Sequence, residues 1–368
     1  MMDIAVLIII AVYFSLHLIL YFGLKRSDGI KQNSSDRLPF ISVIVAARNE
    51  ERNIEVCINS LKYIVYPKEK YEIILVNDKS SDSTKNIMHQ CTEYRNEFII
   101  LDTTDAPDST LTGKVKALSY GISKSKGELI MMTDADCTVD KNWLKESAKY
   151  YHNNLGLLCG FTMIDYSHGL FSKLQSLDWI YLQSLASASS GIYANLSCIG
   201  NNLSVSDAAY GSIGGYENLK FSVTEDLALL RKIKSERKYK ILYPVNPRCL
   251  VKSLPCTDFK ELYRQKKRWF RGGIGINSLG YLLGFLLYTS NIILVFGLLF
   301  LTPLTYLVSI VIKMLSELLI MIPVYRKFNY RNLIIYFPLF QIYFAIYGLL
   351  LPFTFLFGYK IIWKGREH

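Results

Sequence analysis

The chain has 368 residues, 51% of them apolar, and a formal net charge of +11, with a mean hydropathy of +0.19. Such hydropathy excludes a disordered chain and is high for a wholly soluble one, so part of the apolar content is expected to meet lipid. No nucleic-acid motif accompanies the basic balance, which sets nucleic acid aside as a partner and favours anionic lipid headgroups or phosphorylated ligands.

Ile4 to Leu24 is an uncharged apolar run, of the ~20 residues a helix needs to cross hydrocarbon. It closes on Tyr21, Phe22, Lys25 and Arg26 without a small-residue cleavage site, and so reads as a retained anchor rather than a signal peptide. Lys25, Arg26, Lys31 and Arg37 place the chain beyond the anchor in the cytoplasm by the positive-inside tendency.

From Phe40 to Ile164 short β-rich runs alternate with helical patterns, which predicts an α/β domain with a largely parallel sheet. Ile41 to Ala47 predicts a strand and Glu50 to Ile64 a helix. Tyr71 to Val76 predicts a second strand ending in Asn77 and Asp78, with Ser81 and Asp82 suited to cap the next helix. Glu97 to Leu101, helical Lys114 to Lys124 and strand Glu128 to Thr133 continue the alternation, and this last strand runs into Asp134 and Asp136. A lone Asp after a strand is usually a turn or cap. Two strands delivering carboxylates to one edge predict a ligand site, because ligands of open α/β sheets bind beyond the strands' carboxyl ends.

Further on, Leu170 to Ala188 predicts a helix, succeeded by a Gly- and Asn-rich stretch. Thr224 to Lys238 predicts a helix with Thr224 as cap, and Phe259 to Phe270 an amphipathic helix at a membrane surface. Leu279 to Leu301, Pro303 to Tyr325 and Leu333 to Tyr359 are three further candidate spans. The basic loop 326–331 suits the cytoplasm, whereas Lys360, Lys364 and Arg366 do not suit an outer tail, which makes one segment a candidate for a re-entrant or interfacial course. Lys313 and Glu317, four apart, share a helix face within the second of these segments. The expected organisation is an anchor over 1–25, a catalytic domain over 38–273 with an interfacial helix at 257–273, and a membrane region over 279–363.

Asp134-Ala135-Asp136 can point two carboxylates at one hard cation, Mg²⁺ or Mn²⁺, which would bridge to a diphosphate and stabilise it as a leaving group. In Thr224-Glu225-Asp226 helix capping accounts for one acid. An inverting transfer to a hydroxyl needs a base, and Asp226, with Glu225 beside it, is the candidate. Gln265 and Arg268 lie three apart on one helical face, followed by Trp269. Arg268 suits a diphosphate and Trp269 an apolar wall, although alone the segment reads as a basic interfacial helix with an aromatic anchor. Arg264, Lys266, Lys267 and Arg271 add to that basic cluster and suit lipid headgroups. The seven cysteines form no CxxC pair and read as reduced structural thiols. GxSxG, HExxH and P-loop motifs are absent, which leaves a hydrolase, zinc enzyme or P-loop ATPase without local support.

In order along the chain come Val45-Ala46-Ala47-Arg48-Asn49-Glu50, Val76-Asn77-Asp78-Lys79-Ser80-Ser81-Asp82, Gly113-Lys114, Asp134-Ala135-Asp136, Gly200-Asn201-Asn202, Thr224-Glu225-Asp226 and Gln265-Lys266-Lys267-Arg268-Trp269. This set, over Ile41 to Gly273, resembles the family 2 inverting glycosyltransferases of GT-A fold. It is most similar to their membrane-embedded branch, which holds cellulose, chitin, hyaluronan and poly-N-acetylglucosamine synthases and ceramide glucosyltransferases. The resemblance implies a Rossmann-like GT-A domain joined to transmembrane helices in a cell (inner) membrane. It also implies transfer from a nucleotide sugar, UDP-linked, to a lipid or glycan acceptor.

The resemblance further implies that Ala46, Arg48 and Glu50 border the nucleoside, Asp78 lies near the base or ribose, and Lys114 lies near the phosphates. Asp134 and Asp136 would serve the metal and the donor, and Asp226 would act as base. Gln265, Arg268 and Trp269 would close over the diphosphate and acceptor, and Gly200, Asn201 and Asn202 occupy the place of an acceptor-side loop. Asn77-Asp78-Lys79 departs from the Asp-Asp-Gly or Asp-Asp-Ser of many relatives and leaves Asp78 as the single aligned acid. The small membrane part leans toward a lipid-linked or short product rather than a processive polymer, which is the alternative within the class. A non-catalytic transporter or scaffold that only binds nucleotides is the alternative outside it.

Overall fold

The computed structural model describes residues 1–32, 37–220 and 222–355, and the backbone at 362–363 and 366–367. The end of the predicted span Leu333 to Tyr359 lies outside the described residues, as do Lys360 and Lys364. The chain forms two units, one of residues 30–163 and 197–254, the other of residues 1–29, 164–196 and 255–368.

Twelve strands occur among the described residues: β1 (Ile41–Ala47), β2 (Tyr71–Asn77), β3 (Phe98–Asp102), β4 (Leu129–Asp134), β5 (Cys137–Val139), β6 (Leu155–Cys159), β7 (Thr162–Ile164), β8 (Leu203–Ser206), β9 (Lys240–Leu242), β10 (Val251–Ser253), and β11 (Ile362–Trp363) with β12 (Arg366–Glu367), which pair with each other. Seven of them form the central sheet of the first unit, in the order β3-β2-β1-β4-β8-β6-β9. The pairs β1–β2, β1–β4 and β2–β3 are parallel, while β8 runs antiparallel to β4 and β6. The sheet is therefore mainly parallel, as expected of an α/β domain. Its central strands read as near-continuous apolar runs because helices cover both faces, and Ile41, Val43, Ile44 and Val45 are fully buried. Helix Gly113–Ser123 packs close on them. A Cβ at Gly121 would come within 2.8 Å of Ile44 and 3.0 Å of Val76, so only glycine permits that approach.

Two predicted helices are shorter in the structure. The segment after β1 becomes helical at Ile54 rather than Glu50, because Asn49 takes a positive φ and the Glu50 amide donates to Thr84 Oγ1 at 2.7 Å instead of entering a helix. The helix after Thr224 runs over Glu225–Ser235, and the left-handed backbone of Arg237 stops it short of Lys238. Thr224 precedes this helix without a side-chain capping bond, its hydroxyl lying 3.3 Å from that of Ser222.

Among the described residues of the second unit, four segments are long and apolar enough to cross a bilayer: Met2–Asp28, Ser278–Leu299, Pro303–Phe328 and Arg331–Thr354. Helices Gly169–Gly191 and Phe259–Gly272 belong to the same unit. A Cβ at Gly23 would collide with Ala188, and one at Gly191 with Gly23. These glycines let two helix backbones approach as small residues do between membrane helices. Lys313 and Glu317, which the spacing places on one face, pair at 2.5 Å. Gln341 and Tyr13 complete a buried network around Glu317, Gln341 donating at 2.5 Å and Tyr13 at 2.8 Å.

Candidate active site

Sheet register builds the site. Ala46 stands level with Asp134, and Ala47 with Asn77, so the residues that come after β1, β2 and β4 leave the sheet at one carboxyl edge. Ala46 is the one partly exposed residue of β1, at the end where that edge opens.

Asp78 follows β2 with its amide bonded to the Ala47 carbonyl at 2.8 Å. Its carboxylate accepts from Thr103 Oγ1 at 3.2 Å and lies 4.0 Å from Arg48 Nη1. Burial raises the Asp78 pKa above the ordinary carboxylate value, against the opposing pull of the Thr103 bond and of Arg48. Arg48 Nε and Nη1 are buried and have no hydrogen-bond partner among the described residues. Buried guanidinium donors without partners are costly in a finished protein and suit a polar ligand at this edge.

Glu50 is buried and accepts from Asn53 Nδ2 at 2.8 Å. Asn77, which stands where the resemblance leads one to expect an acid, donates to Asp102 Oδ2 at 2.7 Å, and Asp102 also pairs with Lys85 at 3.0 Å. The departure at Asn77 is thus absorbed by an internal bond between β2 and β3.

Lys114, near the start of helix Gly113–Ser123, places Nζ 2.6 Å from Asp134 Oδ1 and 3.1 Å from Glu225 Oε1. One ammonium therefore joins the acid at the end of β4 to the first residue of helix Glu225–Ser235. Asp226 is next on that helix, with Oδ1 accepting from the Leu227 amide at 2.8 Å. A Cβ at Gly200 would lie 3.3 Å from both Asp226 Cβ and Oδ2. Asp134, Lys114, Glu225, Asp226 and Gly200 thus form one chain of neighbours, while Arg48 and Asp78 meet on the adjoining strand ends.

Asp136 accepts from Cys137 Sγ at 3.3 Å. Among the described residues no three His, Cys, Asp or Glu side chains cluster as a closed metal cage. Two carboxylates one residue apart at a partly open strand end fit a hard cation that keeps water and phosphate oxygens in its remaining positions, as Mg²⁺ prefers.

Asn201 and Asn202 are buried. Asn202 donates to the carbonyls of Phe161 (2.7 Å) and Cys249 (2.9 Å) and accepts from Trp143 Nε1 at 3.1 Å. Asn201 accepts from Thr162 Oγ1 at 2.7 Å. Their side chains hold the loop in place, and Gly200 is the loop residue beside Asp226.

In the other unit, helix Phe259–Gly272 carries Gln265, Arg268 and Trp269, all partly buried. The Trp269 ring packs edge-on against Trp179, with centroids 5.3 Å apart. Lys266 is not at a lipid surface, as its place in the basic cluster suggests. It is 2% exposed and ion-paired with Asp178.

The model of glycosyl transferase family 2 matches residues 42–202, and that of glycosyl transferase family group 2 matches residues 129–358, more than half of the chain. The chain belongs to the family 2 glycosyltransferases. The chain is 27% identical over 263 residues to the probable glycosyltransferase YdaM of Bacillus subtilis, a match that covers 68% of the chain and 59% of YdaM. It is also 27% identical over 266 residues to poly-beta-1,6-N-acetyl-D-glucosamine synthase of Staphylococcus aureus, which covers 72% of the chain and 61% of that synthase. The chain therefore spans about three-fifths of the length of these relatives. In fold it is similar to the mannosyltransferase PcManGT of Pyrobaculum calidifontis, solved with GDP-Man and Mn²⁺, with a TM-score of 0.63 at 17% identity over 95% of this chain and 98% of that one. The GT-A reading of the α/β fold stands.

Two neighbours of the candidate residues were not legible in the sequence. Thr103, bonded to Asp78, reaches it only through the pairing of β3 with β2, and Asp178 lies on a helix that carries none of the family motifs.

Proposed function

We propose that this glycosyltransferase transfers a sugar from a UDP-sugar to a lipid or glycan acceptor with inversion, anchored in a cell (inner) membrane with its sheet-bearing unit in the cytoplasm. The observation that carries the reading is Lys114 held between Asp134 and Glu225 with Asp226 next in line. This arrangement sets a cation and a cluster of carboxylates at the edge where α/β folds bind ligands. Arg48 and Asp78 form the nucleoside end, bordered by Ala46 and Glu50, and the unpartnered Arg48 donors meet the nucleotide.

Asp134 and Asp136 would hold Mg²⁺ or Mn²⁺, which when bound would neutralise diphosphate charge. Lys114 lies beside these carboxylates and adds a second positive group on the phosphates. Asp226 takes the proton from the acceptor hydroxyl as its oxygen attacks the anomeric carbon and the bond from that carbon to the diphosphate oxygen breaks, releasing UDP with the electron pair, so a single displacement inverts the configuration without a covalent intermediate. Glu225 orients Lys114, and Gly200 leaves room beside Asp226 for the acceptor. Gln265, Arg268 and Trp269 act on the diphosphate and acceptor, a role that rests on their motif. The transfer leaves the sugar on a lipid or short glycan.

Purified chain in detergent with Mn²⁺ or Mg²⁺ tests the reading against a panel of UDP- and GDP-sugars with lipid and glycan acceptors, by nucleotide release and product mass. Release from a UDP-sugar that depends on acceptor and metal is the expected result. No release from any nucleotide sugar would sink the proposal, and a product ladder in place of single additions would make the enzyme processive.

A further inference from the structure

Asp178 and Lys266 are both buried, Asp178 fully, and they pair within the helical unit. Tyr347 donates its hydroxyl to Asp178 Oδ1 at 2.5 Å. The Lys266 ammonium also sits over two rings, 4.4 Å from the centroid of Trp269 and 5.2 Å from that of Tyr347. One buried cation is thus surrounded by a carboxylate and two aromatic faces. Three segments meet at it: Gly169–Gly191 supplies Asp178, Phe259–Gly272 supplies Lys266 and Trp269, and Phe337–Leu350 supplies Tyr347.

Helix geometry gives this contact a consequence. Lys266 and Trp269 are three apart and share a face, as do Gln265 and Arg268 one residue earlier. Pinning Lys266 inward therefore sets the rotation of the whole helix and the direction in which Gln265 and Arg268 leave it. A cation over an indole face is attractive when desolvated, so the same ammonium also holds the Trp269 ring. Trp179 Nε1 is buried without a hydrogen-bond partner among the described residues, and its ring packs edge-on against that of Trp269.

We infer that Lys266, Asp178 and Tyr347 are positioning residues for the transfer reaction: the buried pair fixes the helix bearing Gln265 and Arg268, and the ammonium holds Trp269 in its working orientation. The inference rests on the proposed role of that motif.

A charge-neutral double variant separates positioning from mere stability. Lys266→Met or Asp178→Asn alone leaves one buried charge without its partner and is strongly destabilising. Lys266→Met with Asp178→Asn leaves neither charge, and its thermal unfolding in detergent returns close to that of the parent. The double variant is expected to lose about tenfold in kcat, with the donor KM nearly unchanged, and to lose the near-ultraviolet circular-dichroism signal of the coupled Trp179 and Trp269 rings. Lys266→Arg, which keeps a cation over the ring, is expected to recover part of both. A stable double variant with parental kcat, or with an unaltered aromatic signal, would overturn the inference. If the parent chain turns over no nucleotide sugar, the proposed function fails, while the circular-dichroism comparison still decides whether the ammonium orients the rings.

Discussion

Lys114 Nζ lies 3.1 Å from Glu225 Oε1 while also touching Asp134, so a single side chain joins the end of a strand to the start of a helix 91 residues later. Removing it leaves two carboxylates facing each other without a cation between them. Lys114→Met is expected to weaken donor binding about tenfold or more, with a stability loss of about 1 kcal/mol because the groups are partly solvated. Nucleotide-dependent thermal shifts against those of the parent would measure both. Donor affinity equal to the parent's would remove Lys114 from the donor site.

Asp226 is the proposed base. Asp226→Asn is expected to lower kcat by about 10² to 10⁴, the usual contribution of a positioned base, while donor binding persists. Isothermal titration with the nucleotide sugar and a steady-state assay on the same preparation would separate the two effects, and parental turnover would exclude this residue.

Gly200 tests the space beside that base. An added Cβ lies 3.3 Å from Asp226 Oδ2, tighter than ordinary van der Waals contact but relievable by a small shift of the carboxylate. Gly200→Ala is therefore expected to fold normally and to lose about tenfold in kcat through a misplaced base. A variant as active as the parent would show that the carboxylate tolerates displacement.

The sign of the Asp78 effect comes from its burial, which raises the folded-state pKa above the ordinary 3.8. The folded protein then binds this proton more tightly than the unfolded chain. The resulting stability is complete below the unfolded value and disappears as pH rises through the folded one. Asp78→Asn does not titrate, so its melting temperature relative to the parent should climb from about pH 4 to pH 7. A difference that stays flat or falls over that window would contradict the shift.

Within the helical unit, Lys313→Met leaves Glu317 buried without its cation. A loss of about 3–5 kcal/mol is expected, with most of it recovered on adding Glu317→Leu. Melting of detergent-solubilised protein by size-exclusion chromatography would measure the series.

Much of the fold was legible in the residues because local chemistry dictates it. Apolar β-rich runs at Ile41, Tyr71 and Leu129 predict strands that the structure contains almost to the residue. Apolar stretches long enough for a bilayer announce themselves by composition. The carboxylates after β2 and β4 were legible for the same reason, since each directly succeeds a recognisable strand.

Contacts across long sequence separations were decided by tertiary structure. The alternation of strands predicts a sheet but not that Thr103 would reach Asp78, or that Asn77 would bind Asp102, because these depend on which strands pair and in what register. Lys266 is the sharpest case. In the sequence it is one basic residue among five near an apolar segment, whereas in the folded chain it is a buried ion with a carboxylate partner 88 positions away. The sequence by itself determined which segments are strand, helix or apolar enough to span a membrane. Which charges leave water was settled only when distant segments packed, since desolvation and pairing are properties of the assembled interior.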